Sequence, residues 1–190
     1  MAISDDAKMR DIEENGSKGL GYLLMTGHIA ADINQGALIA TLPFLVLHGG
    51  LSYTAVTALL FASNIASAII QPLFGYLGDK VARPWFMALG ITLAGVGMAG
   101  VGVAGNYWLI LACAMVSGIG VAMFHPEGGR LANLVAGKQK GAGMSIFAVG
   151  GKLGFSIGPL MAAAALTSFG LQGTLVFLVP AVLCAGALLT

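Results

Sequence analysis

Charged residues are scarce in this sequence, and they are nearly absent from most of its length. Only 9% of the 190 residues are Asp, Glu, Lys or Arg, whereas 57% are hydrophobic. A soluble domain carries about a quarter charged residues, so this composition excludes an ordinary soluble protein. Most of the charge that is present stands in the first 18 residues and in short clusters between long apolar stretches.

Cysteine is also scarce, and the residues of metal and catalytic chemistry form no recognisable pattern along the chain. Cys113 and Cys184 lie in the middle of apolar stretches, far from any metal-ligand spacing, so we interpret both as packed thiols. No nucleophile–base arrangement, phosphate-binding loop or basic aromatic surface is visible in the sequence. The sequence therefore predicts neither an enzyme nor a nucleic-acid-binding protein, and it predicts no cofactor and no bound metal.

Six apolar stretches alternate with short polar gaps after residue 18. About 20 apolar helical residues cross the hydrocarbon core of a bilayer, so each stretch predicts a membrane-spanning helix. The predicted helices cover about residues 19–47, 53–77, 85–104, 107–135, 142–167 and 173–190. The predicted fold is an all-α membrane protein, with a polar tail at residues 1–18 and a bundle of six transmembrane helices at residues 19–190.

Basic residues mark every second gap between the predicted helices. Lys80 and Arg83 occupy the gap after the second helix, and Lys138 and Lys140 occupy the gap after the fourth. The other gaps contain no Lys, Arg, Asp or Glu. Because loops that contain Lys and Arg stay on the cytoplasmic side, the pattern predicts a cytoplasmic N-terminus.

Three groups of polar residues lie within the apolar stretches, where each costs free energy and is a functional candidate. The first group is His28, Asp32 and Gln35, which share one face of the first predicted helix. Asp32 lies near the bilayer midplane, roughly 18–20 Å from the cytoplasmic end of the helix. Burial favours the neutral form of a carboxyl, which suits a proton-coupling site. A structural hydrogen bond to a neighbouring helix is the alternative.

The second group is a single residue, Lys152, on the fifth predicted helix. It lies roughly 15 Å from the cytoplasmic end of that helix, close to the depth of Asp32. We therefore predict an ion pair between Lys152 and Asp32 across a polar cavity. One alternative is a lysine that binds an anionic substrate directly, and the other is a lysine whose stem snorkels to the membrane surface.

The third group lies at the inner end of the fourth predicted helix and comprises His125, Glu127 and Arg130. Glu127 and Arg130 are spaced for an intrahelical ion pair, and His125 adds a side chain that can exchange protons. The group is either a charged helix end that marks the membrane boundary or a gating cluster that binds the inner loops. The sequence favours the two interpretations about equally.

Two stretches resemble signature motifs of the major facilitator superfamily, a family of membrane transporters. Residues 75–84, GYLGDKVARP, are similar to the family's loop between helices 2 and 3, with Ala82 in place of a glycine and Pro84 in place of a basic residue. A second stretch resembles the Gly-Pro element on helix 5 of the family's antiporters. Its residues are Gly150, Gly151, Gly154, Gly158 and Pro159.

Other stretches resemble the fosmidomycin-resistance branch of that family, and His28 and Asp32 fit the first helix of this branch. The further matching residues are Gln71, Pro72, Phe124, His125, Pro126, Glu127, Arg130, Ser145, Ile146, Phe147, Val149, Gly150 and Gly151. The sequence departs from the pattern at Ala31, Ala114, Ala148 and Lys152. The family has an arginine at the position of Ala114, and we infer that Lys152 supplies the missing positive charge.

The resemblance implies a proton-coupled exporter of a small organic solute, which works by alternating access in a bacterial inner membrane. Helices 1 and 4 line the central cavity in this family, and helices 2 and 5 face a second six-helix bundle. That bundle would be either a missing C-terminal half or another chain. A non-transporting sensor, scaffold or assembly partner built on the same bundle is the alternative function.

The resemblance also implies roles for individual residues. The residues expected at the inside gate are Gly75, Asp79, Lys80 and Arg83. Asp79 would cap or repel helix ends there, and Arg83 would tie the loop to its neighbours. The residues expected to couple protons or to line the cavity are Asp32, His28, Gln35 and Lys152.

Overall fold

The computed structural model describes residues 17–80 and 85–189, without the side chains of residues 78–80. The helices in these ranges are α1 (Lys18–Leu47), α2 (Tyr53–Lys80), α3 (Trp85–Val103), α4 (Tyr107–Val135), α5 (Lys140–Phe169) and α6 (Leu178–Leu189). A 3₁₀ segment, Gly170–Phe177, joins α5 to α6. Most of the predicted tail, residues 1–16, and the loop residues 81–84 lie outside the described residues.

Five segments of the described residues are long and apolar enough to cross a membrane. They are Lys18–Leu47, Tyr53–Leu77, Trp85–Val103, Tyr107–Val135 and Lys140–Leu189. The predicted all-helical membrane class is therefore confirmed, but the prediction of six separate spans is confirmed only for five. The sixth predicted span is not a separate helix of membrane-spanning length, because α6 has only 12 residues. Such a helix is about 18 Å long, which is less than the hydrocarbon thickness of about 30 Å.

The chain reverses direction at Gly170, between α5 and the 3₁₀ segment. This residue has a φ of 60°, which glycine adopts without the steric cost that a side chain brings. Gly173 then packs so closely on the backbone of Ala165 that a Cβ would not fit. Thr174 is buried and donates a hydrogen bond of 2.8 Å to the carbonyl oxygen of Ala99. The 3₁₀ segment is therefore held against α3 as well as α5.

Replacing Thr174 with Val tests this connection. Valine keeps the shape of the side chain but removes the donor, so we expect the free energy of unfolding to fall by about 1 kcal/mol. Thr167→Val is the matched control, because the exposed Thr167 hydroxyl bonds only to carbonyls of its own helix. Unfolding in mixed detergent micelles measures both variants. Equal losses in the two would contradict a tertiary role for Thr174.

Glycines hold α5 against α1 at close range. Gly150, Gly154 and Gly158 recur every four residues, and a Cβ added at any of them would come within 3.0 Å of a carbonyl oxygen of α1. The oxygens belong to Met25, Ile29 and Ile33. Small residues allow membrane helices to approach this closely, and close packing is what stabilises them in lipid. The register of α5 along α1 is therefore fixed by backbone contact.

Helix α4 packs against α3 and α2 in a similar way and also contacts α1. Gly120 lies against the backbone of Ala94 in α3, and Gly118 lies against the backbone of Ser63 in α2. Ser117 adds a hydrogen bond of 3.0 Å to the carbonyl oxygen of Ala94. These contacts place α4 beside α1, so polar residues on the two helices can meet inside the bundle.

Candidate functional site

Two histidines and an aspartate from different helices meet inside the bundle. His28 and Asp32 stand on consecutive turns of α1, and His125 stands on α4. His28 Nε2 lies 3.3 Å from Asp32 Oδ2, and His125 Nε2 lies 3.2 Å from Asp32 Oδ1. The two Nε2 atoms are 3.2 Å apart. His28 and Asp32 are each only 8% exposed and His125 is half-buried, so the three side chains meet largely away from solvent. We call them the His-Asp-His cluster.

Backbone carbonyls orient both imidazole rings. His28 Nδ1 lies 2.8 Å from the carbonyl oxygen of Phe147 on α5, and His125 Nδ1 lies 2.8 Å from that of Val121 on α4. A carbonyl oxygen can only accept a hydrogen bond, so each Nδ1 carries a hydrogen. In a neutral imidazole the other nitrogen is then an acceptor. Both Nε2 atoms therefore direct lone pairs toward each other and toward Asp32.

The two Nε2 atoms and the Asp32 carboxylate are therefore all hydrogen-bond acceptors, and they face one another with no donor among them. Two imidazole lone pairs and a carboxylate repel one another at separations of 3.2–3.3 Å unless positive charge lies between them. Asp32 Oδ1 is buried and accepts no hydrogen bond. One added proton removes the conflict, because an imidazolium can donate to the second ring or to the carboxylate. The chemistry that the arrangement supports is the binding of a small cation.

Aromatic rings and a glycine surround the His-Asp-His cluster. The ring of Phe147 stacks on His28 at a centroid distance of 4.1 Å, and Phe124 lies on another side at 5.8 Å. A Cβ added to Gly151 of α5 would stand 2.5 Å from His28 Nε2 and 2.8 Å from Asp32 Oδ2. A larger residue at position 151 would therefore displace the imidazole or the carboxylate.

A cavity of about 240 Å³, which the three cluster residues do not line, lies between α1, α2, α4 and α5. Its polar lining comes from neutral side chains, namely Asn34, Gln35, Ser63, Asn64 and Ser117. Asn34 Nδ2 donates to the carbonyl oxygen of Ala30 at 2.8 Å, and Asn34 Oδ1 is buried without a hydrogen-bond partner. The structure thus places Gln35 in this cavity and not with His28 and Asp32.

The predicted ion pair between Lys152 and Asp32 is wrong. Within the part of the chain that the structure describes, the cationic side chains within 4.0 Å of Asp32 are His28 and His125, and Lys152 is exposed on α5. The reason is helix geometry, since Gly151 faces Asp32 and the next residue points about 100° away. Lys152 lies one turn before Phe155, which lines the cavity, and so stands on the adjoining face of α5.

The predicted ion pair between Glu127 and Arg130 is present and bidentate. Arg130 Nη2 donates to Glu127 Oε1 at 2.7 Å, and Arg130 Nε donates to Glu127 Oε2 at 2.9 Å. Glu127 is 2% exposed, whereas the Arg130 side chain is 32% exposed. His125, grouped with these residues in the sequence, turns instead toward Asp32. The predicted third group therefore divides into an ion pair whose glutamate is buried and a member of the His-Asp-His cluster.

Removing one partner of this ion pair should be costly. Arg130→Gln leaves the buried Glu127 carboxylate without its bidentate donor, so we expect the free energy of unfolding to fall by about 3 kcal/mol. The double variant Glu127→Gln with Arg130→Gln should recover most of this loss, because it buries no charge. Unfolding of the full chain in detergent measures both. A double variant as unstable as Arg130→Gln would contradict the buried pair.

The predicted inside gate lies mostly beyond what the structure describes. Arg83 lies outside the described residues, and so do the side chains of Asp79 and Lys80 at the end of α2. Gly75 is described, and a Cβ added there would lie 3.9 Å from the side chain of Pro126 on α4. Gly75 therefore faces α4, and the inside-gate roles of all four residues stay predictions.

The predicted Gly-Pro element lies along the contact between α1 and α5. Pro159 packs against Gly36 of α1, where a Cβ would stand 2.8 Å from the proline Cδ. The preceding glycines form the close contact with α1 described above, except Gly151, which faces the His-Asp-His cluster. The element therefore sets how α5 lies on α1.

Sequence reasoning missed His125 as a partner of Asp32 and missed most of the cavity lining. His28 and His125 are 97 residues apart, so no spacing along one helix relates them. Three of the cavity residues could have been identified from the sequence, because each is a polar residue within an apolar stretch, although this indication is weaker than a charge. They are Asn34, Ser63 and Ser117. The same indication identified Asp32 because a carboxylate is far more costly in hydrocarbon than an amide or a hydroxyl.

Comparison with known proteins agrees with these features. Residues 24–190 match the Major Facilitator Superfamily. The uncharacterized MFS-type transporter YfnC of Bacillus subtilis strain 168 is 32% identical over 168 residues, which are 87% of this chain and 41% of that protein. The fosmidomycin resistance protein of Escherichia coli K12 is 33% identical over 149 residues, which are 77% of this chain and 36% of that protein.

The chain therefore spans well under half the length of the curated relatives that it matches. A shorter match, 30% identical over 101 residues, is to the uncharacterized MFS-type transporter YwoD of Bacillus subtilis strain 168. The family match covers most of the chain and agrees with the apolar helices of the structure. The chain therefore belongs to the major facilitator superfamily, whose members are membrane transporters and not enzymes.

Proposed function

We propose that this chain is one half of a proton-coupled transporter that exports a small organic solute by alternating access. The observation that carries the proposal is the convergence of His28, Asp32 and His125 on α1 and α4, two of the helices that line the cavity. A transporter that couples a solute to protons needs a group that gains and loses a proton close to the solute. The His-Asp-His cluster meets that need, because its contacts require positive charge between its acceptors.

Protonation of the cluster would also change how α1 and α4 pack. With one added proton the cluster is an imidazolium, an imidazole and a carboxylate, and the contacts attract. Without it, two lone pairs and a carboxylate face one another and repel. Helix α1 carries Asp32 and Gln35, and α4 carries His125 and Ser117. A change in the distance between the two helices would therefore change the shape of the cavity. Differential interaction of this kind is what a ligand needs to shift a conformational equilibrium.

The lining of the cavity suggests the chemistry of the solute. Asn34 Oδ1 is a buried acceptor that lacks a donor, so we propose a solute with a hydroxyl or amide N–H group. Lys152 stands on the adjoining face of α5 and would bind an acidic group of the solute. The fosmidomycin resistance protein of Escherichia coli is among the relatives, which makes fosmidomycin the first probe to test.

We further propose that the 3₁₀ segment and α6 act together as a sixth span. Their combined rise is about 34 Å, close to the hydrocarbon thickness of about 30 Å. A second six-helix bundle, related by an axis along the membrane normal, would complete the transporter. Further residues or another chain would supply it. The bundle would lie in a bacterial inner membrane with its N-terminus in the cytoplasm.

Transport in everted membrane vesicles tests the proposal. The vesicles carry the complete transporter, meaning this chain with its second bundle, and an acidic interior drives antiport. We expect fosmidomycin, or a solute from a panel of small antibiotics, to accumulate inside and to leave when a protonophore collapses the gradient. Accumulation that persists after the protonophore is added would overturn proton coupling. Binding of a solute without any accumulation would favour a sensor over a transporter.

A further inference from the structure

We propose that the His-Asp-His cluster is also a binding site for a divalent transition-metal cation, with Zn²⁺ the best fit. The proposal goes beyond the proposed function, because it rests only on the geometry of three side chains. It needs neither a solute nor a second bundle. It departs from the expectation from sequence that no metal binds.

The donor atoms are of the right kind and stand at the right separations. Two imidazole nitrogens and a carboxylate oxygen suit Zn²⁺, Co²⁺, Ni²⁺ or Fe²⁺, whereas Mg²⁺ and Ca²⁺ prefer oxygen alone. Tetrahedral Zn²⁺ with bonds of about 2.0–2.1 Å holds neighbouring donor atoms about 3.3–3.4 Å apart. The Nε2 atoms of His28 and His125 are 3.2 Å apart, and His28 Nε2 is 3.3 Å from Asp32 Oδ2. His125 Nε2 contacts the other carboxylate oxygen, Oδ1, at 3.2 Å, and one ligand atom from each of the three residues lies within 4.8 Å of the others.

The outer contacts of the two histidines match those of metal ligands. A metal-bound histidine almost always donates its other N–H to a carbonyl, a carboxylate or water. Both Nδ1 atoms here donate to backbone carbonyls, those of Phe147 and Val121. This leaves both Nε2 lone pairs directed at the same point. Asp32 Oδ1 is a buried acceptor with no hydrogen-bond partner, and it lies 3.2 Å from His125 Nε2.

Ligation would use both Nε2 lone pairs and a carboxylate oxygen of Asp32. The metal would also join α1 to α4 through His125. If the cluster couples transport, Zn²⁺ is then expected to fix one packing of the two helices.

Titration of the purified full chain in detergent with Co²⁺ tests the proposal. Four-coordinate Co²⁺ absorbs visible light, and we expect one Co²⁺ per chain, displaced by Zn²⁺. His28→Ala and His125→Ala should each weaken binding at least 100-fold. His48→Ala is the matched control, because His48 is the third histidine of the sequence and caps the far end of α1. It should bind Co²⁺ as the unchanged chain does.

Gly151→Ala provides a second variant that retains every ligand. The added methyl would stand 2.5 Å from His28 Nε2, so we expect Co²⁺ binding to weaken at least tenfold. Circular dichroism and size-exclusion chromatography identify the variants that are folded. Absence of Co²⁺ binding by the unchanged folded chain would overturn the proposal, and so would equal affinity in a folded His125→Ala variant. A chain that binds Co²⁺ but exports nothing would count against the proposed transport alone.

Discussion

Asp32→Asn should abolish the accumulation of solute that a pH gradient drives in everted vesicles. The amide has nearly the size of the carboxyl and can still contact His28 and His125. It carries no charge, however, so the cluster no longer attracts a proton to its centre. We expect driven accumulation to fall at least 100-fold, to the level of vesicles without the protein. The same rate in the variant and the unchanged transporter would contradict coupling through Asp32.

Solute exchange in the same vesicles is the control for this prediction. Exchange of labelled for unlabelled solute needs no net movement of protons, and Asp32 does not line the cavity. The Asp32→Asn variant should therefore keep most of its exchange while it loses driven accumulation. Loss of both activities would mean that Asp32 holds the bundle together and is not the coupling group.

Gly154→Leu should prevent α1 and α5 from packing and should remove most of the folded protein. A Cβ at position 154 would come within 3.0 Å of the backbone of Ile29, and leucine adds three more carbon atoms beyond it. Rigid backbone cannot yield as a flexible side chain does, so the helices must separate. Since α5 also supplies Gly151 and the carbonyl of Phe147 to the His-Asp-His cluster, the cluster would be lost as well.

Size-exclusion chromatography of detergent extracts measures this effect. We expect the yield of folded chain to fall about tenfold with Gly154→Leu. Gly129→Leu is the matched control, because Gly129 is a helical glycine of α4 whose added Cβ would meet nothing within 4 Å. Leucine favours helix over glycine by nearly 1 kcal/mol, so the control should fold at least as well as the unchanged chain. An equal fall in the yield of folded chain for Gly154→Leu and Gly129→Leu would contradict a specific role for the α1–α5 contact.

The membrane-spanning segments could be predicted from sequence because apolar length is a local property. The sequence predicts the segments up to Val135 to within a few residues, since each is an uninterrupted apolar stretch between polar gaps. The region after Phe169 could not be predicted in the same way. Its 3₁₀ form accompanies the reversal at Gly170 and the contact of Thr174 with Ala99, and neither is visible in hydropathy.

The candidate site shows the same division between local and tertiary information. The four-residue spacing of His28 and Asp32 places them together on α1, and the structure has them 3.3 Å apart. The position of His125 depends on how α4 packs beside α1, which the close contacts of glycine backbones determine. Equal depth in the membrane suggested Lys152 as the partner of Asp32. Depth does not determine how a helix is rotated about its own axis. In the structure Gly151, the residue before Lys152, faces Asp32.

The most direct test of a cation held between His28, Asp32 and His125 is nitrogen NMR of the chain in lipid, with ¹⁵N-labelled histidine. His48→Ala removes the signal of the third histidine. We predict that both remaining rings carry a hydrogen on Nδ1, and that a further proton is shared between the Nε2 atoms, which lie 3.2 Å apart. Rings that carry their hydrogen on Nε2 alone would contradict the cation site, because Nδ1 could not then donate to the backbone carbonyls.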